Sequence, residues 1–251
     1  MYSKYVEQKE LFSENEKTRL KDVGCPFHPN VEGGVNGPDD LAGLFELSVD
    51  AYYTAIFASM SELPIKAEIS RFVEKVYRAG KLGGGACGER IAAEKAVTDR
   101  GDPDVLTVLK AAGKVQHEIH RLTGFLRFSE GAGGVYIARC SPDHYVLPAL
   151  AEHFTQRFGQ TSWVIVDEKR GLCLCREKGA EARIATWSPL AGDSPVPAEI
   201  SAQNHPWEDL WRLYHRSVSI KSRKNLHLQR QLMPERYRKY LTEIDQPNGQ
   251  S

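Results

Sequence analysis

The spacing of apolar residues changes abruptly near Gly124. Before it, Val105, Val108, Leu109, Ala112, Val115, Ile119 and Leu122 recur at helical spacing on one stripe. After it come short runs of β-branched and aromatic residues broken by turn signals: GFLRF (124–128), VYIARC (135–140), WVIV (163–166) and LCLC (172–175). A chain that runs in helices and then in strands makes an α+β domain, because each kind of element must bury its own apolar face.

The boundaries are read from local chemistry. Asp102-Pro103 starts the helix, since Asp accepts from free N–H groups and Pro suits the first turn. Gly124 is expected to stop it. Gly131–Gly134 closes a hairpin between strands Phe125–Phe128 and Val135–Cys140. Ser141-Pro142-Asp143 is expected to open a helix, with Pro148 restarting it and Gly159 ending it. Strands Trp163–Val166 and Leu172–Cys175 follow, joined by a turn at 167–171. The expected unit is ββαββ, an antiparallel sheet backed by helix. In WVIV both side-chain sets are apolar, so this strand is expected to be central and covered on both faces.

Around this unit, residues 1–40 are polar and glycine-rich and read as a poorly ordered segment. Residues 41–100 read as helical, with stripes through Leu44, Leu47, Ala51 and Ala55 and through Ile65, Ile69, Phe72 and Val76. Gly83-Gly84-Gly85 is a joint; it lacks the flanking strand and Lys-Ser/Thr of a phosphate loop. Residues 101–245 form the α+β domain, with 188–206 a surface connection, and 246–251 a tail. C-terminal helices carry Trp207, Leu210, Trp211, Tyr214 and Val218, then Tyr237, Tyr240 and Leu241 after Met233-Pro234.

Charge is the strongest functional signal. The chain is neutral overall, yet Trp211–Tyr240 holds nine basic residues against Glu235 alone, a net of +8. Aromatic and amide side chains are interleaved with them. Lys and Arg neutralise phosphates, amides read base edges and aromatics stack on bases, so the segment reads as a nucleic-acid surface. Its competing reading is a basic face docked on the acidic remainder of the chain or on an acidic partner. Lys110, Lys114, His117 and Arg121 form a second, smaller basic face.

Several stretches are similar to a known family: DPDVL (102–106), EIHRLTGFLRF (118–128), PDHYVLPALAEHFTQRF (142–158), WVIVDEKRG (163–171) and SIKSRKNLHLQRQLMPERYRKYLTE (219–243). They resemble a bacterial family of DNA-repair-like or DNA-metabolism proteins built on a widely distributed uncharacterised domain. Relatives of that domain occur fused to uracil-DNA-glycosylase-like proteins, and the stand-alone form is typically paired with a radical-SAM protein. The resemblance implies a DNA-related role and supplies no mechanism. Family members usually open on a Tyr-Asp and Phe-x-Gly segment that this chain lacks.

The expected function is a nucleic-acid-binding accessory module that works with a DNA-modifying partner. Arg223, Lys224, Asn225, Gln229 and Arg230 are its expected contacts: the cations on phosphate, the amides orienting the loop or reading a base. The alternative is a DNA-directed enzyme using His120, Asp143 and His144, with Arg127 and Arg139 lining its cleft. As a lone histidine beside the apolar stripe, His120 reads first as a buried structural residue; Glu118 projects from another side of the helix. Asp143, expected at a helix N-terminus, is explained equally by the helix dipole.

No metal and no cofactor are expected. Cys25 and His28 are two ligands where zinc needs four, or three plus water. Cys173 and Cys175 alternate on one strand face and read as core. Five cysteines, no secretory leader at Met1–Leu20 and no long apolar run point to a cytoplasmic, non-membrane protein.

Overall fold

The computed structural model describes residues 43–187 and 206–243. The chain divides into two compact units, the boundary falling between His117 and Glu118.

The first unit is helical. After a helical turn at 43–47 come α1 (Val49–Ser59), α2 (Lys66–Leu82), α3 (Gly85–Thr98) and the start of α4 (Pro103–Phe125). Ser48 caps α1, accepting from the Ala51 amide at 3.1 Å while its hydroxyl donates to Glu94 of α3 at 2.9 Å. The glycine joint between α2 and α3 is a close approach rather than a loose hinge. A Cβ on Gly88 would collide with the Gly83 carbonyl oxygen, and one on Gly83 with the Gly88 carbonyl. Asp102 caps α4 as expected, accepting from the amides of Asp104 at 2.9 Å and Val105 at 3.2 Å.

The second unit is a five-stranded sheet in the order β1 (Phe128–Glu130), β2 (Tyr136–Cys140), β3 (Trp163–Asp167), β4 (Leu172–Arg176), β5 (Arg183–Thr186). The α+β class holds, and β3 is central, with all five residues buried. The expectation of a wholly antiparallel sheet is corrected: β2 and β3 are parallel, and the other three pairs are antiparallel. The cause is the helix between them. A crossover through α5 (Leu147–Phe158) returns the chain to the starting edge, so adjacent strands must run the same way.

Each face of β3 has its own core. On one, Phe154 and Phe158 of α5 stand 6.2 and 6.5 Å from the Trp163 ring, with Phe128 at 5.2 and 4.6 Å from the same two phenylalanines. On the other, Ile137, Val164, Val166, Cys173 and Cys175 pack together beneath Val135, Ala185 and Trp187. Cys173 and Cys175 are therefore core residues.

Two boundaries differ from expectation. α4 runs through Gly124 to Phe125, so the first strand begins at Phe128. α5 begins at Leu147, with Pro148 in its first turn, so Asp143 and His144 precede the helix. After residue 205 come α6 (Pro206–Val218), a 3-10 turn (Lys221–Arg223), α7 (Leu226–Leu232) and α8 (Glu235–Arg238), which starts after Met233-Pro234.

Candidate functional site

The parallel pair ends at Cys140 and Asp167, and the chain leaving β2 there, residues 141–146, carries Asp143 and His144. Asp167 is wholly buried and accepts from the amides of Lys169 at 3.0 Å and Arg170 at 3.3 Å. Its carboxylate also takes Arg170 Nη1 at 2.7 Å. Burial pushes the Asp167 carboxyl above its ordinary value, against the pull of Arg170. Arg170 also donates to the Pro142 carbonyl at 3.2 Å and the Asp143 carbonyl at 2.8 Å, where Lys169 Nζ joins it at 2.9 Å.

The opposite side of the same loop is held by Glu118. This carboxylate is 3% exposed and accepts from the Asp143 amide at 2.9 Å and the His144 amide at 2.8 Å. The Tyr237 hydroxyl donates to it at 2.5 Å, and Arg236 stands 3.7 Å away. Arg236 also pairs with the Asp143 carboxylate at 2.8 Å. Tyr237 is buried; burial and Glu118 together raise its phenol pKa, which keeps it a proton donor.

A second carboxylate, Glu168, anchors the same C-terminal segment. It accepts from Tyr240 at 2.6 Å and pairs with Arg139 and Lys239, each at 3.5 Å. A third, Glu243, takes Arg127 at 2.6 and 3.2 Å and the Trp211 indole N–H at 3.2 Å. Burial opposes the ionised form of Glu243, but Arg127 and these hydrogen bonds outweigh it, and its pKa is lowered.

These contacts sort the basic segment into two populations. Arg236 and Lys239 are engaged by carboxylates, and Arg212 donates to the Thr242 carbonyl at 3.0 Å. Arg223 and Lys224 are exposed, and their side chains have no partner among the described residues. Asn225 is exposed and its side-chain oxygen caps α7, accepting from the Leu228 amide at 3.0 Å. Gln229 is half-buried on α7, and Arg230 lies on the same helix. The expected contacts thus share one turn and one short helix.

The residues of the enzyme alternative lie on two elements, α4 and the loop after β2. His120 is exposed on α4 rather than buried. Asp143 and His144 are presented by the pinned loop, with Asp143 in an ion pair. Arg127 and Arg139 are committed to Glu243 and Glu168. Among the described residues no group of three His, Cys, Asp or Glu is placed to hold a metal, and Cys25 and His28 lie outside them. No described helix is long and apolar enough to cross a membrane.

Sequence reading missed the anchoring role of Glu118, Glu168 and Glu243. The signal for Glu118 was present: it lies three residues after Val115 and four before Leu122, on the apolar stripe, where an acid needs donors. Neither curated proteins nor solved structures provide a match to the chain. A family model described as a domain of unknown function, DUF4130, matches residues 89–243, from within α3 through the last anchoring carboxylate. The chain belongs to the DUF4130 family.

Proposed function

We propose that the protein is a DNA-binding accessory module that positions a DNA-modifying partner, with the Lys221–Arg230 segment as its contact surface. The observation that carries this reading is the division of the basic segment. Arg236 and Lys239 hold the segment to the acids Glu118, Asp143 and Glu168, whereas Arg223 and Lys224 are exposed without partners among the described residues. A cation that merely balanced acids of its own unit would be paired as Arg236 is. The turn is exposed and ends in a capped helix, a setting in which binding side chains concentrate.

The sequence resemblance to DNA-repair-like proteins, some fused to glycosylase-like domains and some paired with radical-SAM proteins, supports DNA as the nucleic acid. It supports such an enzyme as the partner, while the odd number of cysteines supports a cytoplasmic setting. The asymmetry between a +8 segment and a neutral chain supplies the electrostatic attraction.

The test is a fluorescence-anisotropy titration of DNA across a salt series. Replacing Arg223, Lys224 and Arg230 with Ala should weaken binding and flatten the log–log salt slope by about 2 to 3 units. The exposed Arg223 and Lys224 should cost no more than about 0.5 kcal/mol each in stability. Unchanged binding, or none by the wild type at low salt, makes the segment a protein-docking face instead. Strand cleavage or base release from damaged DNA would favour an enzyme built on His120, Asp143 and His144.

A further inference from the structure

The helix preceding the cationic turn exposes aromatic rings as well as charge. On α6, Trp211 is 40% exposed and Tyr214 54%, beside exposed Leu210, Leu213 and Val218. Their rings are already ordered. The Arg127 guanidinium lies 5.8 Å from the Trp211 ring centroid, and the Trp211 and Tyr214 rings are 5.7 Å apart with a 32° tilt. Glu243 fixes this arrangement, binding Arg127 twice and the indole N–H once. Trp211 is thereby held in place, while more than half of Tyr214 remains open to water. From Leu210 to Pro234 the chain contains no Asp or Glu.

We infer that Tyr214 and Trp211 form a stacking platform for unpaired bases, so that the strand bound is single-stranded. The inference rests on the DNA-binding reading above and specifies its strand state. Two exposed rings tilted by 32° offer π-faces, and every unpaired base has one to match. In a duplex the bases stack on one another and present only edges, leaving an exposed phenol nothing to stack on. An acid-free stretch with Arg223 and Lys224 nine and ten residues beyond Tyr214 complements the backbone of the same strand. The platform costs little to order on binding, since Glu243 already restrains the indole.

The experiment compares three fluorescein-labelled ligands of equal length at one salt concentration: oligo-dT, the same strand carrying abasic sites, and a duplex. Wild-type protein is expected to bind oligo-dT about tenfold more tightly than the abasic strand, within the range for stacking on one aromatic side chain. Tyr214→Ala should erase that preference and leave abasic-strand binding unchanged. Tyr214→Phe, which keeps the ring, should retain it. Circular dichroism and the unfolding midpoint of Tyr214→Ala should match wild type. Equal binding of oligo-dT and abasic strand by wild type, or a preference that survives Tyr214→Ala, overturns the platform and leaves the DNA-binding reading standing. No binding of any ligand at low salt overturns both. Oligo-U of the same length separates the two sources of unpaired bases. Binding equal to or weaker than oligo-dT keeps DNA as the strand, and tighter binding overturns that assignment.

Discussion

Glu118 holds three donors of the second unit at once. Its removal strands the amides of Asp143 and His144 and the Tyr237 hydroxyl, and leaves Asp143 as the carboxylate paired with Arg236. Breaking a buried, hydrogen-bonded charge from one side typically costs about 3–5 kcal/mol. Glu118→Ala should reach that range in urea unfolding, monitored by tryptophan fluorescence. Tyr237→Phe removes one donor and leaves the carboxylate its two amides, so about 1–2 kcal/mol is expected. In the first unit, Arg71 and Lys75 hold the Asp104 carboxyl down to about 2 from its ordinary 3.8. A lowered pKa means stability that is present above about 4 and lost as pH falls toward 2. Asp104→Asn should flatten the acid limb of the melting temperature between those values, and an unchanged limb would remove Asp104 as its source. Asp104 is half-buried, but its partner Arg71 is exposed, so screening keeps the effect modest.

At the scale of elements, what was legible in the sequence followed from period and capping chemistry. The α4 start at Asp102-Pro103, the α5 stop at Gly159, the α8 start after Met233-Pro234 and the central place of Trp163–Val166 each rest on local signals. What was missed depended on tertiary structure. β5 is four residues of RIAT at a sheet edge, too short and too little alternating to announce itself. The parallel pairing of β2 with β3 is set by where the crossover lands. Gly124 fails to stop α4 because a lone glycine in a helix costs only about 1 kcal/mol, which the buried Leu122 and Leu126 on either side offset. On α6, Leu210, Trp211, Tyr214 and Val218 are exposed; periodicity identifies an apolar face without saying what covers it. Two element joints give direct tests. Gly88→Ala forces a Cβ against the unyielding Gly83 backbone and should destabilise the α2–α3 pair by about 2–3 kcal/mol in thermal unfolding. Asn225→Ala should lose about 1 kcal/mol of α7 stability, and Asn225→Ser, which can still cap, should recover most of it. Helix content by circular dichroism checks both.

For the molecule as a whole, the C-terminal segment is fastened through Glu118, Glu168 and Glu243, acids that no motif announces, and it was recognised through its cations. Of the site residues expected from sequence, the cations and amides of 223–230 fall together because they are neighbours along the chain. His120 and Asp143 belong to separate elements, and adjacency in sequence space could not place them. The grip of Glu118 on the 141–144 loop has a consequence for dynamics. Loop amides normally exchange their hydrogens with solvent quickly, since they open without disturbing anything else. The amides of Asp143 and His144 are instead tied to an acceptor that is held by Tyr237, 119 residues beyond Glu118. Their deuterium uptake should be slow in the intact protein and should quicken when the C-terminal segment detaches. Two backbone positions in the loop after β2 thus act as a built-in reporter of whether that distant segment is seated.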